Sequence, residues 1–169
     1  MCVLKFFYKM QFSHRTYFML IDYEEQKALL NCIEDFISLD LGHDLKKLGY
    51  SLDCRFMDPK GVNGLKIFFQ KYGDHVYIKF GDIYGQGVKE LEISVIGFKK
   101  TKKGYGTLLL SRLADIAEKY NYPVISIHAP NANSTAFGEK FGFKMYRNYM
   151  DITVADLKRN LLARKQAKF

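Results

Sequence analysis

The chain has 169 residues, 48% apolar and 15% aromatic, with a formal net charge of +8 and a pI near 9.3. That is enough for one domain with a real core, and it excludes a disordered polypeptide. Apolar stretches such as Leu91 to Phe98 are short and broken by charges, so none reaches the ~18 residues of a membrane span.

Residues 1–12 mix Lys5 and Lys9 with apolar side chains and lead to no small-residue cleavage site, so no signal peptide is expected. Cys2, Cys32 and Cys54 are far apart and odd in number. They have no metal-ligand spacing, so reduced thiols, no metal site and a cytoplasmic protein are expected. The positive charge fits an acidic partner (nucleic acid, a phosphorylated ligand or an acidic protein), or else a lysine-rich soluble surface.

Residues 3–20 alternate weakly, as a strand would. Asp22 and Glu25 have capping-box spacing. Leu29, Leu30, Ile33, Phe36 and Ile37 follow at helical spacing, which predicts a helix over 23–38. A short second helix is expected at 43–48, ending at Gly49, and Pro59, Gly61 and Gly64 punctuate a loop. Residues 65–71 fit strand or helix, because Phe68 interrupts the alternation of Leu65, Ile67 and Phe69. Val76, Ile78 and Phe80 alternate through 75–80, and Gly81, Gly85 and Gly87 mark a turn before the clearest strand, 89–98.

That strand runs into Lys99-Lys100-Thr101-Lys102-Lys103-Gly104-Tyr105-Gly106. A helix follows, with Leu109, Leu113, Ile116, Ala117 and Tyr120 on one face. Tyr122-Pro123 ends it, and Val124–Ala129 is a short apolar strand. Asn131–Ser134 supplies caps for a helix ending near Phe141-Gly142, with Phe137 and Phe141 as core residues. Phe143–Ile152 reads as one strand and 154–167 as a basic helix. The β-α-β-α-β order after residue 89 indicates an α/β fold, an α+β sandwich.

A strand, a glycine-containing turn and a helix make a phosphate cradle, because the first amides of a helix have no internal acceptor and the helix dipole adds positive character. Gly104 and Gly106 remove side chains where a diphosphate approaches the backbone. Lys99, Lys100, Lys102 and Lys103 either attract that ligand or form a solvated loop.

From Leu91 to about Tyr149 the chain resembles the GNAT superfamily of acyl-CoA-dependent N-acyltransferases. The matching pieces are Ile93-Ser94-Val95-Ile96, the Thr101–Gly106 loop, Val124–His128, Asn131 eleven residues before Gly142, and Gly142-Phe143. The resemblance implies one domain over 1–169. Its parts would be an N-terminal half at 1–88, an acyl-CoA half at 89–152 and a basic helix at 153–169, around a mixed, mostly antiparallel sheet flanked by helices on both faces. It implies transfer of an acetyl group from acetyl-CoA, the co-substrate, to a primary amine. The cofactor-binding residues would be Ile96, Gly97, Phe98, Thr101, Lys102, Lys103, Gly104, Tyr105, Gly106, Thr107 and Asn131. The backbone around Ile96 to Phe98 would pair with the pantetheine arm.

Two positions depart from the family pattern. Thr101 stands where Arg or Gln is usual, and Gly138 where many members carry the tyrosine that protonates the leaving thiolate. Regular alternation would put Glu90, Glu92, Ser94, Ile96 and Phe98 on one face of their strand. Glu92 is the expected base, or a solvated sheet-face carboxylate; His128 relays a proton or caps a turn. Tyr146 and Tyr149 offer hydroxyls for the missing acid, or pack. The alternative is a catalytically impaired protein of this fold that binds nucleic acid or an acidic protein through Lys158, Arg159, Arg164, Lys165 and Lys168. No membrane partner is expected, and a homodimer stays open.

Overall fold

The computed structural model describes residues 21–45, 53–56, 64–84 and 86–167. The expected strand in 3–20, most of the expected helix at 43–48 and the loop at Pro59 and Gly61 lie outside them.

Helix α1 (Tyr23–Asp35) starts where Asp22 accepts from the Glu25 amide at 2.7 Å. It passes into a π-helical turn at Phe36–Asp40. Leu29, Ile33, Phe36 and Ile37 recur at helical spacing and are fully buried. Glu25 does not complete the capping box. It is buried instead, with its carboxylate on Lys89 Nζ at 2.6 Å and the Tyr122 hydroxyl at 2.7 Å. Three distant segments thereby meet around one charge.

Seven strands are described: β1 (Asp53–Phe56), β2 (Gly64–Lys71), β3 (Asp74–Gly81), β4 (Glu90–Gly97), β5 (Val124–His128), β6 (Lys144–Tyr146) and β7 (Tyr149–Thr153). They form one sheet in the order β1-β2-β3-β4-β5-β7-β6. Every pairing is antiparallel except β4 with β5, which is parallel and is joined through α2 (Tyr105–Lys119). Residues 65–71 resolve as strand, since Leu65, Ile67 and Phe69 bury beside Phe80, Ile78 and Val76. The single strand expected over Phe143–Ile152 is instead the hairpin β6–β7. Its turn passes through Arg147 at φ 44, with no glycine to mark it.

Leu91, Ile93, Ile125, Ile127, Met150 and Ile152 share the apolar face of the sheet, where they form one core with the buried residues of α1, α2 and α4 (Val154–Gln166). Helix α3 (Ala132–Lys140) joins them there through Gly138, which lies against Ile127 and Met150. These four described helices therefore pack together over this face. The other face carries Lys79, Glu90, Glu92, Ser126, His128 and Asp151. With those additions the architecture is the expected α/β one, a mixed and mostly antiparallel sheet with packed helices. No described helix is long and apolar enough to cross a membrane.

Replacing Lys89 by alanine would leave the Glu25 charge buried without its cation, at a cost of about 3–5 kcal/mol. Chemical denaturation of Lys89→Ala should show that loss, whereas Lys27→Ala on the α1 surface should be near neutral.

Candidate active site

Strands β4 and β5 pair only from Glu90↔Val124 to Ile93↔Ile127. Beyond that point β5 ends and β4 runs on through Gly97, so the two chains diverge. They open a groove of about 1170 Å³ lined by the end of β4, the loop after it, the start of α2, the end of β5 and one side of α3. All eleven residues expected to bind the cofactor line it: Ile96, Gly97, Phe98, Thr101, Lys102, Lys103, Gly104, Tyr105, Gly106, Thr107 and Asn131. His128 does so as well; Glu92 does not.

The groove ends on the N-terminus of α2. Gly104, the N-cap, has φ 83, in the left-handed region that glycine adopts without strain, and Lys102 also turns left-handed at φ 59. Reversals of hand between neighbours make successive amides converge on an anion. Leu108 N donates to Gly104 O at 2.9 Å; among the described residues no backbone carbonyl takes the amides of Tyr105, Gly106 or Thr107. Gly106 has a further reason to be glycine, since a Cβ there would stand 3.1 Å from the Phe137 ring. That close approach joins α2 to α3 under the groove.

The loop is held from behind. Asp74, at the start of β3, accepts from the Lys99 amide at 2.7 Å and from His43 at 2.7 Å. Phe98 packs edge-on between Phe36 and Tyr105, at ring separations of 5.8 and 5.9 Å. Of the four loop lysines, Lys100, Lys102 and Lys103 line the groove. The Lys99 side chain instead lies over Gly73, and Lys140 of α3 joins the groove in its place.

On the polar face a β-bulge interrupts β4. Tyr77 faces Val95 while Ile78 faces Ile93, so Ser94 is the extra residue. The alternation expected from sequence therefore breaks there. Ile96 joins the apolar face opposite Val76, while Val95 emerges on the Glu92 side. Glu92 is wholly buried and already engaged, with Lys79 Nζ and Ser94 Oγ each 2.5 Å from Oε1 and the Tyr84 hydroxyl donating to Oε2. His128, 43% exposed, places Nδ1 4.0 Å from Oε2. Burial pushes the Glu92 carboxyl up, but the bonds from Lys79, Ser94 and Tyr84 outweigh it and hold the group below its usual range. Such a carboxylate makes a poor proton acceptor, so the reading of Glu92 as the base itself is corrected. It is not the solvated carboxylate of the alternative either. Tyr84, raised by burial and by its bond to Glu92, keeps its proton. Sequence reasoning missed Lys79, Tyr84 and Ser94, whose partner becomes visible only once the Lys79↔Glu92 register is known.

Gly138 does not face the groove. A Cβ there would stand 3.0 Å from the Met150 thioether and 3.3 Å from Ile127, so a tyrosine at this position would press on the core rather than reach into the groove. The aromatic residue of α3 that lines the groove is Phe137, which has no hydroxyl. Asn131 spends its Oδ1 on capping α3, accepting from Asn133 and Ser134 amides at 3.0 Å, which leaves its NH₂ group for a ligand. Tyr146 and Tyr149 stack on each other at 5.6 Å. The cations of α4 are largely engaged within the chain: Lys158 with Asp115 and Glu118 of α2, Arg159 with Asp156, and Arg164 with the Lys140 carbonyl. Lys168 lies outside the described residues.

No family model matches the chain, and no curated protein does. Similar solved structures include a putative acetyltransferase from Agrobacterium tumefaciens, 14% identical over 85% of this chain and 99% of that one, with a TM-score of 0.42. Another is Tetrahymena GCN5, 18% identical over 76% of this chain and 88% of that one, with a TM-score of 0.40. A third is an aminoglycoside 6'-N-acetyltransferase complexed with coenzyme A, 15% identical over 79% and 94%, with a TM-score of 0.41.

Glu90, two residues before Glu92 on the same face, is raised by burial and by the charges of Glu92 and Asp151, against a hydrogen bond from Ser126. The folded chain therefore binds more protons than the unfolded one between the ordinary value of 4.5 and the raised one, and stability falls as pH rises through that window. Glu90→Gln should raise the melting temperature at neutral pH by roughly 1–3 °C, with the gain vanishing below the ordinary carboxylate value. Thermal scans at the two pH values check it.

Proposed function

We propose that the chain is an acyl-CoA-dependent N-acyltransferase that moves an acetyl group from acetyl-CoA to a primary amine. One observation carries the reading: the groove opened by the end of the β4–β5 pairing leads straight onto the unsatisfied amides that begin α2. A nucleotide thioester has the matching shape, an extended arm followed by a diphosphate. The edge of β4 from Ser94 to Gly97 would take the pantetheine arm as an added strand, with the amides of Tyr105, Gly106 and Thr107 on the diphosphate. Lys100, Lys102, Lys103 and Lys140 supply attraction at the groove, but not the forked donors an arginine at position 101 would give.

In this site the amine nitrogen bonds to the thioester carbonyl carbon while the backbone amides near Ile96 to Phe98 steady the oxyanion. The C–S bond then breaks. His128, at the mouth of β5, is the side chain placed to take the proton the amine loses, and that proton leaves for solvent or for the departing thiolate. Phe137, the aromatic residue of α3 in the groove, has no hydroxyl to offer the sulfur.

Calorimetric titration of the full chain with acetyl-CoA tests the reading, and saturable binding is expected. Gly106→Val should weaken it at least tenfold by driving a side chain into Phe137. The double substitution Lys102→Gln, Lys103→Gln should weaken it a few-fold at low salt and less at high salt, because those lysines act through screened attraction. Unchanged affinity in Gly106→Val would contradict the assignment.

A further inference from the structure

We infer that Glu92 is a positioning residue whose Oε2 holds the Nδ1–H of His128, so that the imidazole presents a bare Nε2 to the amine in the groove. The inference rests on the N-acyltransferase reading and assigns the roles within that same site.

Counting lone pairs makes the case. An ionised carboxylate has about four acceptor sites, two on each oxygen. Lys79 and Ser94 fill the two on Oε1, and Tyr84 fills one on Oε2. The remaining one belongs to the oxygen nearest His128, whose Nδ1 stands 4.0 Å away, within reach of a small ring rotation or one bridging water. An anion there selects the tautomer with the proton on Nδ1 and leaves Nε2 as the acceptor.

The carboxylate is fixed by structure built for that purpose. Ser94 is the bulge residue, and Lys79 lies directly across from Glu92 on β3. Tyr84 sits in the loop tied down by buried Asp82, which accepts from the amides of Gln86 and Gly87 at 2.7 and 2.8 Å. Glu92 is wholly buried and outside the groove lining, whereas His128 lines the groove. Glu90, Lys79 and Asp151 also carry charge on this face, and among the described residues none of them makes an ion pair with the imidazole.

The test is a long-range ¹H–¹⁵N correlation spectrum of the full chain labelled on histidine, recorded at alkaline pH where imidazoles are neutral. His128→Gln assigns the signals by deleting one set. The wild-type protein should show His128 with a pyrrole-like Nδ1 and a pyridine-like Nε2. In Glu92→Gln, Lys79 and Ser94 keep the amide oxygen at the Oε1 position. The NH₂ then replaces Oε2 and donates to Nδ1, so the proton should move to Nε2. Tyr84→Phe keeps the carboxylate and removes a competing donor, so its spectrum should keep the wild-type tautomer. A wild-type Nε2–H form, or a Glu92→Gln spectrum like wild type, overturns the inference. If Glu92→Gln does not fold, the wild-type and Tyr84→Phe spectra decide. Acetyl-CoA is titrated into the same samples: binding together with an Nε2–H tautomer sinks the inference alone, whereas no binding sinks the acyltransferase reading.

Discussion

The parallel pairing between β4 and β5 stops at Ile93↔Ile127, and most of the site follows from where it stops. Up to that point Leu91, Ile93, Ile125 and Ile127 are buried together and fix the two strands side by side. Past it, β4 bulges at Ser94 and continues along β3 alone, while β5 turns away at Ala129 toward the β6–β7 hairpin. One event thus leaves a free strand edge, opens a groove, and sets His128 at its mouth. The crossover through α2 returns the chain to β5, so the helix must begin at the same end of the sheet, beside the groove. An open sheet with a parallel crossover offers its ligand site at the carboxyl ends of its strands for this reason.

Two buried carboxylates show how differently one residue type is used. Glu25 gathers α1, Lys89 and Tyr122 into the core, and its surroundings leave no route to solvent. Glu92 is buried as completely but lies at the boundary of the groove, with one acceptor position turned toward an exposed imidazole. Burial alone would make either group costly; the cation and hydroxyl donors offset that cost. Cys32 has no such partner. Burial raises its thiol to about 11, so it stays protonated, and its sulfur donates to the Arg112 carbonyl.

Much of this was legible in the sequence where the pattern was local. Apolar spacing located α1, α2 and β4, and Asp22 and Asn131 announced their helices because caps act within three residues. The turn expected at Thr101–Gly106 does lie between β4 and α2, with Gly104 capping the helix at φ 83. What escaped depended on register and on shape. The bulge at Ser94 leaves no local mark, yet it moves Ile96 across the sheet and so breaks the predicted alternation. The roles of Gly106 and Gly138, one against Phe137 and the other against Met150, follow from neighbours more than ten residues away. Lys79 and Tyr84 became readable as partners of Glu92 only through strand pairing, and Arg147 turned a hairpin that lacked the usual glycine.

The central claim is that the opening amides of α2 bind the diphosphate of a nucleotide thioester. Backbone ¹H–¹⁵N spectra recorded during titration with coenzyme A test it most directly, residue by residue. The account predicts that the largest, saturable shifts fall on Gly104 through Thr107, with smaller ones along Ser94 to Gly97. Shifts confined to the exposed cations of α4, or a spectrum that coenzyme A leaves unmoved, would contradict it.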